Sequence, residues 1–299
     1  MRLAALMLIL SASPALASSE EAWEQFRKDV ESACTALAPE APCIRIDNPI
    51  AETMAVMRTT LWAGLLPVVR YNRQRQQRRV RIFELAHVYH PSEAGPVEHQ
   101  RLAGAVCGNI LPEQWDAPDR ESDFYDVKAD IDALFSGLDY VADTHPALHP
   151  GRSARVSRAG EAIGWIGQVH PRIARLLEIP SSLILFELDW AGLATRAVPR
   201  EPRVSDYPAS RRDLAFEVPE SVPVSALQAD ARAAGGAALK DVIVFDVYRG
   251  EGLRNGCRSV ALGLIFQDYS RTLVEQEVDG AVQAVIQALH LNWGASIRG

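Results

Sequence analysis

Hydrophobic and polar positions in the last third of the chain predict a set of strands and helices. β-Branched and apolar residues fill 213–218, 239–248 and 259–268, as buried strands require, and helical spacing appears at 225–234 and 273–289. A short strand at 293–298 can close the domain. The order β-α-β-β-α-β is that of the ferredoxin-like split unit, which we predict for residues 204–299.

The second helix of this unit has both an apolar stripe and a start signal. Valine recurs at helical spacing at Val278, Val282 and Val285, and the same stripe includes Val274 and Leu289. Thr272 is followed three residues later by Glu275, which matches a capping box. We therefore expect the helix to begin at this pair.

Residues 44–197 predict a mixture of helices and antiparallel strands, so that the whole chain belongs to the α+β class. Helices are expected at 56–77 and 126–135, and strands at 80–89, 102–108, 155–158, 162–169 and 183–188. Ala159 and Gly160 separate two of these strands and indicate a hairpin turn. Prolines near residues 198–203 indicate a linker between the two domains.

The start of the chain has the pattern of a secretory signal over residues 1–17. Basic Arg2 precedes an apolar segment at 3–10, and Ala15-Leu16-Ala17 matches a cleavage site. Residues 18–43 predict a polar helical leader, with its helix at 20–37. Three interpretations stay open: an export signal, a terminus that is apolar without being a signal, and a junction between unrelated pieces near Pro42. No later segment is apolar enough to span a membrane, so we expect no membrane association.

Charge and cysteine content exclude some classes of site. The net charge of −7 over 299 residues gives no global positive field, so contacts with RNA must come from local groups. Cysteines occur at 34, 43, 107 and 257 without the spacing of a metal site. We expect Cys107 and Cys257 to be small buried residues, whereas Cys34 and Cys43 could pair if the chain is exported.

Several polar groups resemble sites but have simpler structural explanations. Arg81 and Glu84 could serve ATP and magnesium, yet their spacing puts them on opposite faces of a strand. His149 lies in a turn without a nearby Cys or carboxylate that would indicate a catalytic or metal site. An arginine run could contact phosphates or could be a solvated helix end. A group of aspartates fits the acidic start of a helix, so we predict no metal site there. The run comprises Arg70, Arg73, Arg75, Arg78, Arg79 and Arg81, and the aspartates are Asp123, Asp126, Asp130 and Asp132.

Ordered motifs from about residue 44 to 299 resemble the beta subunit of bacterial phenylalanyl-tRNA synthetases. The last domain resembles the ferredoxin-fold anticodon-binding domain of that family. Residues 44–197 resemble part of its catalytic-like domain, and this resemblance implies part of the antiparallel sheet of class II synthetases. The motifs include Ser-Arg-Arg-Asp at 210–213, Phe-Asp-Val-Tyr-Arg-Gly at 245–250, Gln-Asp-Tyr-Ser-Arg-Thr-Leu at 267–273, Arg-Ile-Phe-Glu at 81–84 and Asp-Phe-Tyr-Asp-Val-Lys at 123–128. The chain is expected to be the carboxyl-terminal third of such a subunit.

The resemblance implies a non-catalytic part of phenylalanine–tRNA ligase. Its partners would be the catalytic alpha subunit, in a heterotetramer of two alpha and two beta subunits, and phenylalanine tRNA. This chain would bind no cofactor, whereas ATP and magnesium would serve the whole complex. The implied location is the cytoplasm, which conflicts with the signal-like residues 1–17. The alternative is an exported binding module of the same fold that has lost the tRNA role.

Candidate tRNA-binding residues lie in three segments of the last domain, and no catalytic residue is assigned. Single-stranded RNA is recognised by aromatic stacking, by hydrogen bonds to bases and by arginines on phosphates. We expect the three segments to line one rim of the sheet, with either Phe245 or Asp246 in the core. Arg212 could instead pair with Asp213 or Asp268. The candidates are Arg211, Arg212, Asp246, Tyr248, Arg249, Tyr269, Ser270 and Arg271.

Overall fold

The computed structural model describes residues 37, 43–50, 55–117, 119–194 and 204–298. They form two units that divide between residues 197 and 198. The signal-like segment, almost all of the predicted leader helix, the linker 198–203 and Cys34 lie outside the described residues. In the part of the chain that is described, no helix combines the length and apolarity needed to cross a membrane.

The first unit contains one antiparallel sheet of six strands in the order β1-β2-β6-β5-β4-β3. The strands are β1 (Val80–Ser92), β2 (Gly95–Cys107), β3 (Leu138–Ala142), β4 (Leu148–Arg158), β5 (Glu161–Val169) and β6 (Ile184–Asp189). The helices are α1 (Trp62–Gln74), α2 (Phe124–Leu134), α3 (Pro171–Leu176) and α4 (Trp190–Ala194). This arrangement agrees with the predicted α+β class.

Both faces of this sheet are covered by apolar side chains. Neighbouring residues of β2 belong to different clusters, because strand side chains alternate between faces: Leu102 lies in one and Ala103 in the other. Trp62 and Leu66 of α1 pack in the same cluster as Ala103. Ile131 of α2 packs in the cluster of Leu102.

Element boundaries in the first unit differ from the predictions where side chains fix a helix end. Asp123 accepts hydrogen bonds from the backbone N–H groups of Tyr125 (2.8 Å) and Asp126 (3.1 Å), so α2 begins at residue 124 rather than 126. The predicted hairpin turn is confirmed, since Ala159 and Gly160 have φ values of 51° and 85°.

The second unit has the predicted β-α-β-β-α-β order and the strand order β10-β7-β9-β8, all antiparallel. Its elements are β7 (Ser210–Pro219), α5 (Val224–Ala234), β8 (Leu239–Tyr248), β9 (Cys257–Phe266), α6 (Glu275–Trp293) and β10 (Ser296–Ile297). Both helices pack on one face of the sheet, around Phe216, Leu262 and Val285, which are fully buried. The ferredoxin-like prediction is confirmed.

The predicted start of α6 is wrong by two residues. The helix begins at Glu275 after Val274, and the side chain of Glu277 accepts the Val274 N–H at 3.2 Å. The expected capping box of Thr272 and Glu275 therefore does not form. Val274 is 56% exposed, so the apolar stripe starts one turn later, at buried Val278.

Candidate nucleic-acid interface

One face of the second sheet has small residues at its centre. We call it the open face, because α5 and α6 both pack on the other side. On its two central strands Ala215 lies opposite Ala261, and Asp213 lies opposite Gly263. The Arg211 guanidinium lies over this centre, since a Cβ added at Gly263 would be 3.1 Å from a terminal nitrogen of Arg211.

A β-bulge brings two neighbouring side chains to the open face. Val244 lies opposite Leu262, but the next paired residue of β8 is Asp246, opposite Ala261. The extra residue, Phe245, interrupts the alternation of the strand. Phe245 is 49% exposed and Asp246 is also exposed, so the prediction that one of them lies in the core is wrong.

Tyr248 stands at the end of β8 with its ring fixed against the following turn. Its hydroxyl donates to the carbonyl of Glu251 at 3.3 Å, and its cross-strand neighbour is buried Ser259. A side chain at Gly250 would come within 2.5 Å of the Tyr248 hydroxyl, so glycine leaves room for the ring. The ring is therefore held in place while Tyr248 stays 40% exposed.

An arginine guanidinium lies over each aromatic ring of the open face. The Cζ atom of Arg211 is 5.2 Å from the centroid of the Phe245 ring, and that of Arg298 is 5.1 Å from the centroid of the Tyr248 ring. Phe245, Ser259 and Arg298 are not among the candidate residues predicted from the sequence. Ser259 could have been found from the hairpin register, whereas the position of Arg298 depends on the fold of the whole domain.

We predicted that the candidate residues line one rim of the sheet, and this prediction is wrong. Tyr248 lies opposite Ser259 at one end of β9, and Ser210 lies opposite Phe266 at the other. The seven residue steps from Ser259 to Phe266 span roughly 23 Å, since a strand rises by about 3.3 Å per residue. The segment 269–271 follows β9 directly, so it lies at the end away from Tyr248.

Arg212 faces the helical layer instead of the open face. Its guanidinium lies 3.6 Å from Glu275 and 3.8 Å from Asp279, both in α6. It also donates to the Ser210 hydroxyl at 3.0 Å. The alternative partners Asp213 and Asp268 are not the carboxylates that Arg212 contacts, and Asp213 pairs with Arg211 at 2.7 Å.

Arg249 lies at the Tyr248 end and stays accessible. Its Nε atom is 3.4 Å from a carboxylate oxygen of Glu220, and 58% of the Arg249 side chain is exposed. Such an exposed ion pair contributes little to stability, so the guanidinium can exchange this partner for another anion.

The segment 269–271 forms a hydrogen-bonded turn before α6. Ser270 donates from its backbone N–H (2.7 Å) and its hydroxyl (2.6 Å) to Asp268, and these bonds hold the pKa of Asp268 below its ordinary value. Arg271 donates twice to Glu277, at 2.8 and 2.6 Å, which lowers the pKa of Glu277 to about 2. The Lys240 ammonium lies 4.8 Å from the Tyr269 ring centroid. Arg271 therefore already has a local counter-charge.

In the first unit, the residues that resemble an ATP site make separate contacts. Arg81 pairs with Asp130 of α2, whereas Glu84 accepts from Arg58 at 2.8 Å. Asp130 and Arg58 hold the two side chains apart, as their strand spacing predicts. Arg81 and Glu84 thus do not fit a shared site for ATP and magnesium.

Two arginines of the run donate to carbonyl groups at the end of α1. Arg73 donates to the carbonyl of Arg78 at 2.7 Å. Arg75 donates to the carbonyl of Tyr71 at 3.3 Å, and its Cζ lies 3.4 Å from the Tyr71 ring centroid. Of the two open interpretations, these bonds favour the helix end.

The aspartates, His149 and the cysteines also take structural positions. Asp126 pairs with Arg120 at 2.7 Å, and His149 accepts the Gly151 N–H at 3.1 Å. Within the described ranges no group of His, Cys, Asp and Glu side chains could hold a metal ion. Cys107 is buried, which raises the pKa of its thiol, whereas Cys257 is half-buried.

Comparison with known proteins establishes the family. The profile described as "Phenylalanyl tRNA synthetase beta chain CLM domain" matches residues 20–190, and "Ferredoxin-fold anticodon binding domain" matches residues 205–298. The chain belongs to the phenylalanyl-tRNA synthetase beta chain family. The first match includes residues 20–43, which lie ahead of the motifs that carry the resemblance.

Two curated relatives in this family are named phenylalanine–tRNA ligase beta subunit. The protein of Xanthomonas campestris pv. campestris (strain 8004) is 45% identical over 262 residues, which are 86% of this chain and 33% of that protein. The protein of Thiobacillus denitrificans is 43% identical over 264 residues, 88% of this chain and 33% of that protein. The chain thus spans about a third of the length of these relatives and corresponds to the C-terminal part of the beta subunit.

A weaker similarity exists to a solved structure of Desulfitobacterium hafniense PylSc, a pyrrolysyl tRNA synthetase. The TM-score is 0.41 with 15% identity, over 64% of this chain and 70% of that one. This likeness is too low to bear on the family or on the site.

Proposed function

We propose that this chain binds the anticodon loop of a tRNA through the open face of its second unit. The observation that carries the proposal is the pair of exposed rings, Phe245 and Tyr248, each with an arginine guanidinium beside it. Unpaired bases stack on aromatic rings and on guanidinium planes, and every base has a face that can do so. The names of the relatives suggest that the RNA is phenylalanine tRNA.

Polar groups around these rings suit an unpaired RNA loop. Asp246 lies two residues before Tyr248 and is exposed to solvent. Its carboxylate can accept hydrogen bonds from the edge of a stacked base. Arg211 and Arg249 can contact phosphates at the two ends of the face. With a net charge of −7, the chain depends on such local cations, and we expect binding by this chain alone to be weak.

We further propose that the first unit supports a catalytic alpha subunit and does not activate an amino acid itself. This rests on the names of the relatives and on the separate contacts of Arg81 and Glu84. In this proposal ATP and magnesium serve the alpha subunit within a heterotetramer, and the complex works in the cytoplasm.

The signal-like residues 1–17 favour a second candidate, an exported binding module. One experiment separates the two: the chain, tagged at its carboxyl terminus, is expressed in bacteria, and cytosol and periplasm are recovered separately. The proposed function predicts a cytosolic chain that holds the alpha subunit and is enriched in phenylalanine tRNA. A chain cut after Ala17 and alone in the periplasm would overturn it, and alpha subunit without enriched tRNA would overturn the RNA-binding part.

A further inference from the structure

The sheet of the first unit carries a cavity of about 470 Å³. Four neighbouring strands, β2, β6, β5 and β4, each contribute a lining residue: Arg101, Asp189, Trp165 and Arg155. Trp165 packs against the apolar cluster that includes α1, and Arg101 lies two residues before Ala103 of that cluster, so both side chains point to the face of α1. The volume falls within the roughly 300–1,000 Å³ of small-molecule sites.

Arg101 has hydrogen-bond donors that no protein group uses. Its Nε atom is buried and has no hydrogen-bond partner in the described part of the chain. Asp189 lies 3.8 Å from this atom, which is too long for a hydrogen bond, and its carboxylate accepts the Ala191 N–H at 2.9 Å instead. A buried donor without a partner costs stability, and an acceptor bound in the cavity would remove this cost.

Trp165 forms a flat, apolar wall of the cavity that is held in place from both ends of its contacts. The His145 ring lies 5.1 Å from the Trp165 ring, between centroids. On the cavity side, the Cζ atom of Arg155 lies 5.2 Å from the Trp165 ring centroid, and Arg155 is itself bound to Asp143 at 2.5 Å. The indole of Trp165 is therefore half-buried and positioned before any ligand binds.

We propose that this cavity binds a small aromatic carboxylate, with its carboxylate on Arg101 and its ring against Trp165. A guanidinium matches a carboxylate with two parallel hydrogen bonds. Asp189 and Glu161 also line the cavity, and they disfavour a phosphate because it brings more negative charge than a carboxylate does. The site goes beyond the proposed role in tRNA binding and is built from residues of the first unit alone.

The test follows the indole N–H signals of the full, ¹⁵N-labelled chain by NMR, and Trp165→Phe assigns the signal of Trp165. Benzoate is titrated beside benzamide, which has the same shape without the charge, and beside acetate, which has the carboxylate without the ring. We expect benzoate to shift the Trp165 signal and to bind at least about tenfold more tightly than either control compound.

Variants of Arg101 test the carboxylate contact. Arg101→Gln should lower the affinity for benzoate at least about tenfold, since it removes a charged hydrogen-bond donor. Arg101→Lys keeps the charge but not the planar fork, so it should also weaken binding. Arg152→Gln is the matched control, because Arg152 is exposed on β4 and does not line the cavity, and it should bind benzoate normally.

Several results would overturn this site. Equal affinities for benzoate and benzamide would exclude the carboxylate contact, and so would normal benzoate binding in Arg101→Lys if Arg101→Gln does not fold. Acetate that binds as tightly as benzoate would exclude the aromatic wall, and phenyl phosphate that binds more tightly than benzoate would exclude the preference for a carboxylate.

RNA is the remaining alternative occupant of this cavity. A synthetic RNA hairpin of an anticodon stem and loop, the anticodon hairpin, should leave the Trp165 signal unchanged. Displacement of benzoate by this hairpin would identify RNA as the occupant and overturn the small-molecule site. Failure of benzoate to bind would leave the proposed function standing, because that function rests on the second unit.

Discussion

Glu187 is the one charged residue among the buried side chains that the structure describes. From β6 it accepts the Thr60 hydroxyl (2.6 Å) and the Leu61 N–H (2.9 Å), and so satisfies the start of α1. Burial raises the pKa of its carboxyl group above the ordinary value despite these bonds. The start of α1 is thus fixed by hydrogen bonds to a carboxyl group of β6, which lies far away in the sequence. The period of apolar residues along the chain could not show this contact.

The raised pKa of Glu187 has a consequence for stability. The protonated form is favoured in the folded state, so the contribution of this group is fully present below its unfolded pKa of about 4.3. That contribution is lost as pH rises through the higher folded pKa. Glu187→Gln keeps an acceptor oxygen without the charge, so the unfolding free energy of the first unit should depend less on pH above about pH 4 than in the wild type.

Urea denaturation at several pH values, followed by tryptophan fluorescence, checks this prediction. Exposed Glu161→Gln serves as the control and should keep the wild-type pH profile. If Glu187→Gln and the wild type lose stability equally as pH rises, the carboxyl group is not the source of the dependence.

The start of α6 is stabilised by the ion pair of Arg271 and Glu277, which contains two hydrogen bonds. Since the pKa of Glu277 is lowered to about 2, its contribution is present above the unfolded value of about 4.3 and is lost as pH falls towards 2. Glu277→Gln and Arg271→Gln should therefore lower the thermal midpoint similarly at neutral pH. The difference from the wild type should disappear in acid.

The same two variants test the candidate role of Arg271 in RNA binding. A phosphate contact predicts that Arg271→Gln lowers affinity for the anticodon hairpin and reduces the salt slope by about one. Glu277→Gln leaves the cation in place and should bind normally. Equal affinities of the two variants would leave Arg271 with a structural role alone.

The helices and strands of the second unit could be predicted because their apolar residues recur with a clear period. The same period could not show which side chains reach the candidate site. The strand 239–248 has the predicted limits, yet its bulge exposes Phe245. A period along one strand contains no information on an extra residue relative to the neighbouring strand. Likewise, Arg212 and Tyr248 were placed on one rim because pairing register and face were unknown.

At the scale of the whole molecule, recognition has to be local. The chain carries a net charge of −7, so the field of the molecule does not draw RNA to it. The open face instead combines two exposed rings with two guanidiniums on a single sheet. The chain covers 33% of the length of its relatives, and we expect the remaining affinity for tRNA to come from the complete complex.

Photo-crosslinking locates the RNA most directly. The full chain is irradiated with an anticodon hairpin that carries 5-iodouridine in its loop, and mass spectrometry identifies the joined residues. The account predicts crosslinks to Phe245 or Tyr248, and none with a control duplex of the same stem that has no unpaired bases. Crosslinks confined to the first unit, or to the helical layer of α5 and α6, would contradict it.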